Sequence, residues 1–379
     1  ARGVPGIAPG IASGIACGPP PARLAGGTVV ARITRLHGSR LAFRVHTAIV
    51  ARSLAVPAVV ATHNARQMIH DGEMLIVDGT SHVVIVNPDR SVLAEYRLKQ
   101  SELDLERQKL KRLRGKPAET LDGHRVELHA NIELPGDLAQ VLESGANGVG
   151  LFRSEFLFLN KTRLPDEEEQ YLAYAAAVDA MQGRPVTIRT IDVGSDKALP
   201  SQEASPHGTS ALGQRAIRYS LAEPDLFLTQ LRALLRAAAH GPVRILLPML
   251  SHTQEIDASL MMIERAREQL RQRGIPFGRT VPVGGMIEVP AAALSAAWFA
   301  QKLDFLSIGT NDLVQYTLAI DRSDHRIAHL YDEFHPAVLR LIATTIRAAH
   351  KVGKPVSVCG EMAGEVGATA LLLGMGLTE

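Results

Sequence analysis

The chain has 379 residues, 46% apolar and 21% charged, ordinary values for a globular protein with two or three cored domains. Lys+Arg number 41 against 39 Asp+Glu, a net charge of +2, so no global field points to nucleic acid or to an anionic membrane. Two distant cysteines, Cys17 and Cys359, form no disulfide framework and fit a reducing cytoplasm, and no apolar run is long enough to span a bilayer.

The N-terminal GVPGIAPGIASGIACGPPP is small and apolar, but Pro5, Pro9 and repeated glycines interrupt it, which makes a poor signal-peptide core. Up to about Pro88 the chain reads as short strands with one helix. Gly27–Ile33, Pro57–Ala61, Glu73–Gly79 and His82–Pro88 are β-branched runs bounded by turn residues, and His46–Val56 is the helix. Ser91–Lys116 is charged, leucine-spaced and free of Gly and Pro until Gly115, so it reads as a long helix between two domains. Its basic end lacks interleaved aromatics and reads as a solvated face rather than a nucleic-acid patch.

From Arg125 onward strand and helix signals alternate. The strands are 125–132, 148–152, 185–191, 242–250, 281–289, 305–309 and 355–360, with helical stretches such as 166–181 and 253–273 between them. Near-continuous apolar strands alternating with helices imply a parallel sheet covered on both faces. Seven strands are countable where a closed (β/α) barrel needs eight, and the sequence given stops at LLLGMGLTE, where the eighth is due.

In such a barrel the chemistry sits at the carboxyl ends of the strands. Reactive residues fall there repeatedly: Arg153 and Glu155, then Arg189, Asp192 and Lys197, then Glu288, then Asn311, Asp312, Asp321 and Arg322, and finally Cys359 and Glu361. A lone arginine at a strand end is more often a surface ion pair, and a lone cysteine inert core. The ordered set on successive strands is what carries the functional reading. Guanidinium groups match phosphate and carboxylate bidentately, so converging arginines suit a doubly anionic substrate. Glu288 and Asp312 offer hard oxygens of the kind Mg²⁺ takes together with substrate oxygens. Cys359 is placed to give or accept a proton.

The strings GANGVGLFRSEFLF, VTIRTIDVGSDK, ALGQRAIR, GMIEVPAAA, DFLSIGTNDLVQYTLAIDR, SVCGEMAGE and LLLGMGL closely resemble Enzyme I of the bacterial phosphoenolpyruvate:sugar phosphotransferase system. The opening GVPGIAPGIASGIA and HTAIVARSLAVPAVV resemble that family's first strand and its phosphohistidine segment. The resemblance implies an α/β chain. A phosphoenolpyruvate-binding (β/α)8-type barrel missing its last strand (119–379) follows a small α/β phosphohistidine swivelling domain (1–90) and a linker helix (91–118). It further implies a cytoplasmic enzyme that passes the phosphoryl group of phosphoenolpyruvate to its own histidine. From there the group goes to the histidine phosphocarrier protein HPr, with pyruvate released. By matching motifs, Arg153, Arg189 and Arg322 bind phosphoenolpyruvate with Asn311 and Asp312. Glu288 and Asp312 hold Mg²⁺, Cys359 protonates the enolate, His46 carries the phosphoryl group, and Arg215 is a further, weaker match. A homodimer through the barrel is implied; nucleic acid and membrane are not.

The sequence departs from that family's pattern in four places. The helical HPr-binding insert after the first strand is absent, and Leu41–His46 lacks the usual Gly-Gly-x-Thr-Ser before the histidine. Ser195 replaces a glycine, the SPHGTSALG segment is longer than usual, and the last strand and helix are missing. The expectation is a truncated or rearranged member, with an exposed barrel edge that lowers stability or requires dimerisation. The alternative is a catalytically impaired remnant that binds phosphoenolpyruvate or dimerises. A dikinase working from ATP is disfavoured, since no nucleotide-grasp segment or P-loop is present.

Overall fold

The computed structural model describes residues 7–9, 28–32, 57, 59, 65–70, 72–81, 83–158, 163–193, 211–322, 324 and 326–379. The chain divides into two compact units, Ala1–Arg114 and Gly115–Glu379. His46, the helix expected over 46–56, Cys17, Ser195 and Lys197 lie outside the described residues.

In the first unit β1 (Ile7–Pro9), β2 (Thr28–Arg32), β3 (Met74–Asp78) and β4 (Val83–Val86) form an antiparallel sheet in the order β1-β4-β3-β2. A short helix, α1 (Ala65–Met68), precedes β3. Leu75, Val77 and Val84 pack with Val59 and Ile69 in a small core. The long helix expected from the charged stretch is α2 (Arg90–Lys111), started by the Asp89 side chain, which accepts from the Val92 N–H. It is tied to the sheet by an ion pair of 2.6 Å between Lys99 Nζ and the fully buried Asp78. Burial pushes the Asp78 carboxyl up, and Lys99 with the Ser81 N–H more than offsets it, leaving the group below the usual carboxylate range.

The second unit opens with a hairpin of β5 (Ala118–Glu119) and β6 (Arg125–Val126). The single strand expected over 125–132 is therefore broken, and the sheet strand β7 runs only over His129–Ile132. Asn147 explains the break. Its Oδ1 accepts from the Leu128 N–H and its N–H donates to the Leu128 carbonyl, which takes that residue out of a ladder.

Then follow α3 (Leu138–Ser144), β8 (Gly148–Arg153), α4 (Glu167–Ala180), β9 (Val186–Arg189), α5 (Ile217–Ala222), α6 (Pro224–Ala237) and β10 (Val243–Leu247). The rest of the unit is α7 (Thr253–Gln272), β11 (Val283–Ile287), α8 (Pro290–Leu294), α9 (Ala296–Lys302), β12 (Phe305–Ile308), α10 (Thr310–Leu318), α11 (Pro336–Lys351), β13 (Val356–Val358) and α12 (Val366–Gly374). The seven strands β7 to β13 pair in chain order and all in parallel, as the alternation of apolar runs predicts. The large core lies between this sheet and the helices. Strands β9, β11 and β12 are buried at every position, and α6 and α11 present apolar stripes to the sheet, α6 at β10 and α11 at β12 and β13.

Among the described residues no eighth strand pairs with either edge of the sheet. The two edges are joined directly by Asn131 Nδ2, which donates to Cys359 O at 2.8 Å. The last two residues of the given sequence lie between them: Thr378 O accepts from the Glu127 N–H at 2.8 Å, just before β7, and Glu379 O accepts from the Val358 N–H at 3.2 Å, at the end of β13. No helix among the described residues is long and apolar enough to cross a membrane.

Candidate active site at the strand ends

The ends of β8, β9, β11, β12 and β13 carry the charged residues singled out in the sequence. Arg153, the last residue of β8, is half-buried and donates from Nη1 to Glu133 Oε1 at 2.7 Å. Arg189, the last residue of β9, is 7% exposed. Its Nη2 lies 2.5 Å from Oε1 of Glu155 and its Nη1 3.0 Å from Oδ2 of Asp192. The other oxygen of Asp192 lies 3.0 Å from Nη2 of Arg215, and that nitrogen also lies 3.3 Å from Oδ2 of Asp312. Arg322 completes the line, its Nη2 3.3 Å from Oδ1 of Asp312. Arg189, Asp192, Arg215, Asp312 and Arg322 thus form one continuous row of alternating charge. Burial alone would favour loss of the guanidinium proton. Instead Glu155 and Asp192 hold Arg189, and Asp192 and Asp312 hold Arg215, above the usual arginine range.

Glu288, just past β11, is 2% exposed, and its Oε1 accepts from the Met249 N–H at 2.5 Å. Met249 follows β10 with φ of 54°, an uncommon backbone for a side chain of its size, and that turn aims its N–H at the carboxylate. Burial pushes the Glu288 carboxyl up to about 8, with Asp312 and Asp192 adding to the rise and Arg189 and Arg215 opposing it. Glu288 thus lies in a carboxylate-rich field that a cation would relieve.

Asn311, in the first turn of α10, is locked to the end of β13. Its Oδ1 accepts from the Glu361 N–H at 2.8 Å, and its own carbonyl accepts from Tyr331 OH at 3.0 Å. Gly360 permits this approach, since a Cβ there would fall 1.9 Å from Thr310 Oγ1. Cys359 is 5% exposed and donates its N–H and, weakly, its thiol to Ile308 O at 3.1 and 3.6 Å. Burial pushes its thiol pKa up against the opposing pull of Ser307 and Arg189, so the group keeps its proton at neutral pH.

The structure therefore brings Arg189, Asp192, Arg215, Asp312 and Arg322 together, with Glu288 within electrostatic reach, and holds Asn311 beside Glu361. Matches to known families add the decisive observation. Residues 107–379 match the phosphoenolpyruvate-binding domain of the PEP-utilising enzymes, and residues 39–82 match their mobile domain. The chain belongs to the PEP-utilising enzymes.

Among its relatives, the phosphoenolpyruvate-protein phosphotransferase of Cupriavidus necator is 57% identical over 337 residues, 88% of this chain and 58% of that protein. The proteins of the same name from Staphylococcus carnosus and Geobacillus stearothermophilus are 44% identical over 334 residues, with the same coverages. The chain thus spans 58% of the length of these relatives. Among solved structures, a citrate lyase of Burkholderia xenovorans superposes with a TM-score of 0.38 at 24% identity, covering 61% of this chain and 62% of that one.

Two groups are not among the residues singled out in the sequence. Glu133, which grips Arg153, stands directly after the end of β7, and Gln230, buried on the apolar stripe of α6, lies outside the sheet altogether. Gln230 does leave a signal, because it is a polar residue at helical spacing from Phe227 and Leu234.

Proposed function

We propose that the strand ends bind phosphoenolpyruvate and that the chain transfers its phosphoryl group to His46 and on to a histidine phosphocarrier protein, releasing pyruvate in the cytoplasm. The observation that carries this reading is that Asp192 shares its two oxygens between Arg189 and Arg215, which pre-sets two guanidinium groups side by side. Phosphoryl transfer needs positioned positive charge more than covalent help from the protein. Arg153, Arg189 and Arg322, with Arg215, would hold the phosphate and carboxylate, and Asn311 would orient them from α10. Cys359 fits as a proton donor to the enolate, since burial keeps its thiol protonated.

Glu288 and Asp312 fit a divalent cation, magnesium by their hard oxygens. Asp312 Oδ1 is buried, with Arg322 Nη2 3.3 Å away as an ion-pair partner, and Glu288 is raised by burial and by the carboxylates of Asp312 and Asp192 that a cation would neutralise. They fit it only together with substrate oxygens, because no group of three ligating side chains stands ready among the described residues. Magnesium supplies charge neutralisation at the phosphoryl oxygens when bound. A homodimer through the barrel belongs to the same reading.

The test is incubation with phosphoenolpyruvate labelled in its phosphoryl group, with Mg²⁺, beside a His46→Ala control. Acid-labile label on the wild type alone is expected, and its absence from the wild type ends the transfer reading. A second reading, a chain that binds phosphoenolpyruvate without transferring the group, is favoured by the sequence Leu41–His46, which lacks the glycine-rich turn expected before such a histidine. Binding without labelling is its outcome.

A further inference from the structure

Gln230 projects from α6 into the space under the ends of β8 and β9, and is 1% exposed. Its Oε1 accepts from the Ile191 N–H at 2.9 Å. Since a backbone N–H only donates, this bond fixes which end of the amide is oxygen. Its Nε2 then donates to Ser154 Oγ at 3.0 Å and to Tyr174 OH at 3.1 Å. The Ser154 hydroxyl in turn donates a hydrogen bond to the Arg189 carbonyl at 2.6 Å. On the outer side Tyr174 OH donates to Gln170 Oε1 at 3.4 Å, and Gln170 Nε2 donates to Pro165 O at 2.9 Å. Ser154, Tyr174, Gln170 and Gln230 are all at most 1% exposed, so each proton in this directed series has a required place.

The consequence falls on two arginines. Ser154 directly follows Arg153, and Arg189 is both the receiver of the Ser154 hydroxyl and the second residue before Ile191. One amide thus holds the Ser154 hydroxyl just past β8 and the Ile191 backbone just past β9. Arg153 immediately precedes the first of these residues and Arg189 lies two before the second. Helix packing needs only an apolar residue at position 230, as its neighbours Phe227, Leu231 and Leu234 supply. A glutamine whose Oε1 holds the Ile191 N–H and whose Nε2 holds Ser154 Oγ, with its remaining donor on Tyr174, does something further.

We propose that Gln230 is a positioning residue, which sets the spacing of Arg153 and Arg189 and thereby the fit of the site to phosphoenolpyruvate. This rests on the reading that those two arginines bind that ligand. Holding groups at a reactive site to within a fraction of an ångström is where such supporting bonds act.

The experiment compares the full chain with Gln230→Met, which keeps the volume and removes the grip, and with Tyr174→Phe, which breaks the outer series and leaves the Gln230–Ser154–Ile191 bonds. Phosphoenolpyruvate binding with Mg²⁺ is measured by calorimetry, beside thermal melting. Gln230→Met is expected to weaken binding roughly tenfold or more, the range supporting-residue substitutions produce. Tyr174→Phe is expected to lower the melting temperature with affinity kept within about twofold. Equal loss of affinity in both variants, or none in Gln230→Met, overturns the proposal. The Arg189 Nε–Hε resonance of the ligand-free protein gives a readout that needs no substrate. It is expected to shift or broaden in Gln230→Met and to stay in Tyr174→Phe, and an unmoved resonance in Gln230→Met also overturns the proposal. If the wild type binds no phosphoenolpyruvate, the functional reading falls while this resonance still decides the role of Gln230.

Discussion

Glu155 is fully buried, and its Oε1 lies 2.5 Å from Nη2 of Arg189, so the most enclosed arginine of the site is held by a carboxylate two residues beyond the end of the neighbouring strand. Removing one partner of a buried pair strands the other charge. Glu155→Gln is therefore expected to cost about 3 kcal/mol, the scale for breaking such pairs. Urea unfolding of the two proteins checks it; a change within experimental error would mean that Asp192 alone suffices to hold Arg189.

Glu288→Gln keeps the shape of the side chain and its ability to accept from the Met249 N–H, but removes the ligand charge. Magnesium at a hundredfold excess over its dissociation constant should stabilise the wild type by about 2.7 kcal/mol. The variant should show little of that gain. Melting curves with and without Mg²⁺, at fixed phosphoenolpyruvate, decide the point.

Ala216, next to Arg215, has φ of 52° and ψ of −124°, a conformation that suits glycine. Its N–H donates to Val193 O, so the strained turn fixes the stem of an arginine in the site. Ala216→Gly relieves the strain and loosens the unfolded chain less than it gains. A net stabilisation of about 1 kcal/mol is expected by urea titration, alongside weaker phosphoenolpyruvate binding as Arg215 loses its fixed base.

Glu167 opens α4 and accepts from Arg232, Arg236 and Arg273. Burial would raise its carboxyl, but these three guanidinium groups bring it to about 2 from 4.5. Between those values the unfolded state binds more protons than the folded one. The stabilisation is thus complete above pH 4.5 and is lost as pH falls toward 2. Glu167→Gln should be less stable than wild type at neutral pH by about 1 kcal/mol, after solvent screening, and should match it near the lower value. A constant difference across that range would contradict this assignment.

The sequence by itself determined the parallel sheet, because strands buried on both faces must be apolar throughout, and it determined which residues stand at the strand ends, because they follow those runs directly. It brought Arg153, Arg189, Glu288, Asp312 and Cys359 to the ends of their strands, although the strands expected over 185–191, 281–289 and 355–360 each end two residues earlier than expected, at Arg189, Ile287 and Val358. It did not resolve the break at Leu128, where the cause is the side chain of Asn147, 19 residues onward. Only the tertiary structure decided the pairings: Asp192 between two arginines, Glu133 on Arg153, and Gln230 beneath both strand ends. The bond from Asn131 to Cys359 joins residues 228 apart, across the two edges of the sheet. Periodicity reports which face a residue turns to the core, a local property of the backbone. Which charge meets which depends on how distant strands are brought side by side, and no local pattern records that.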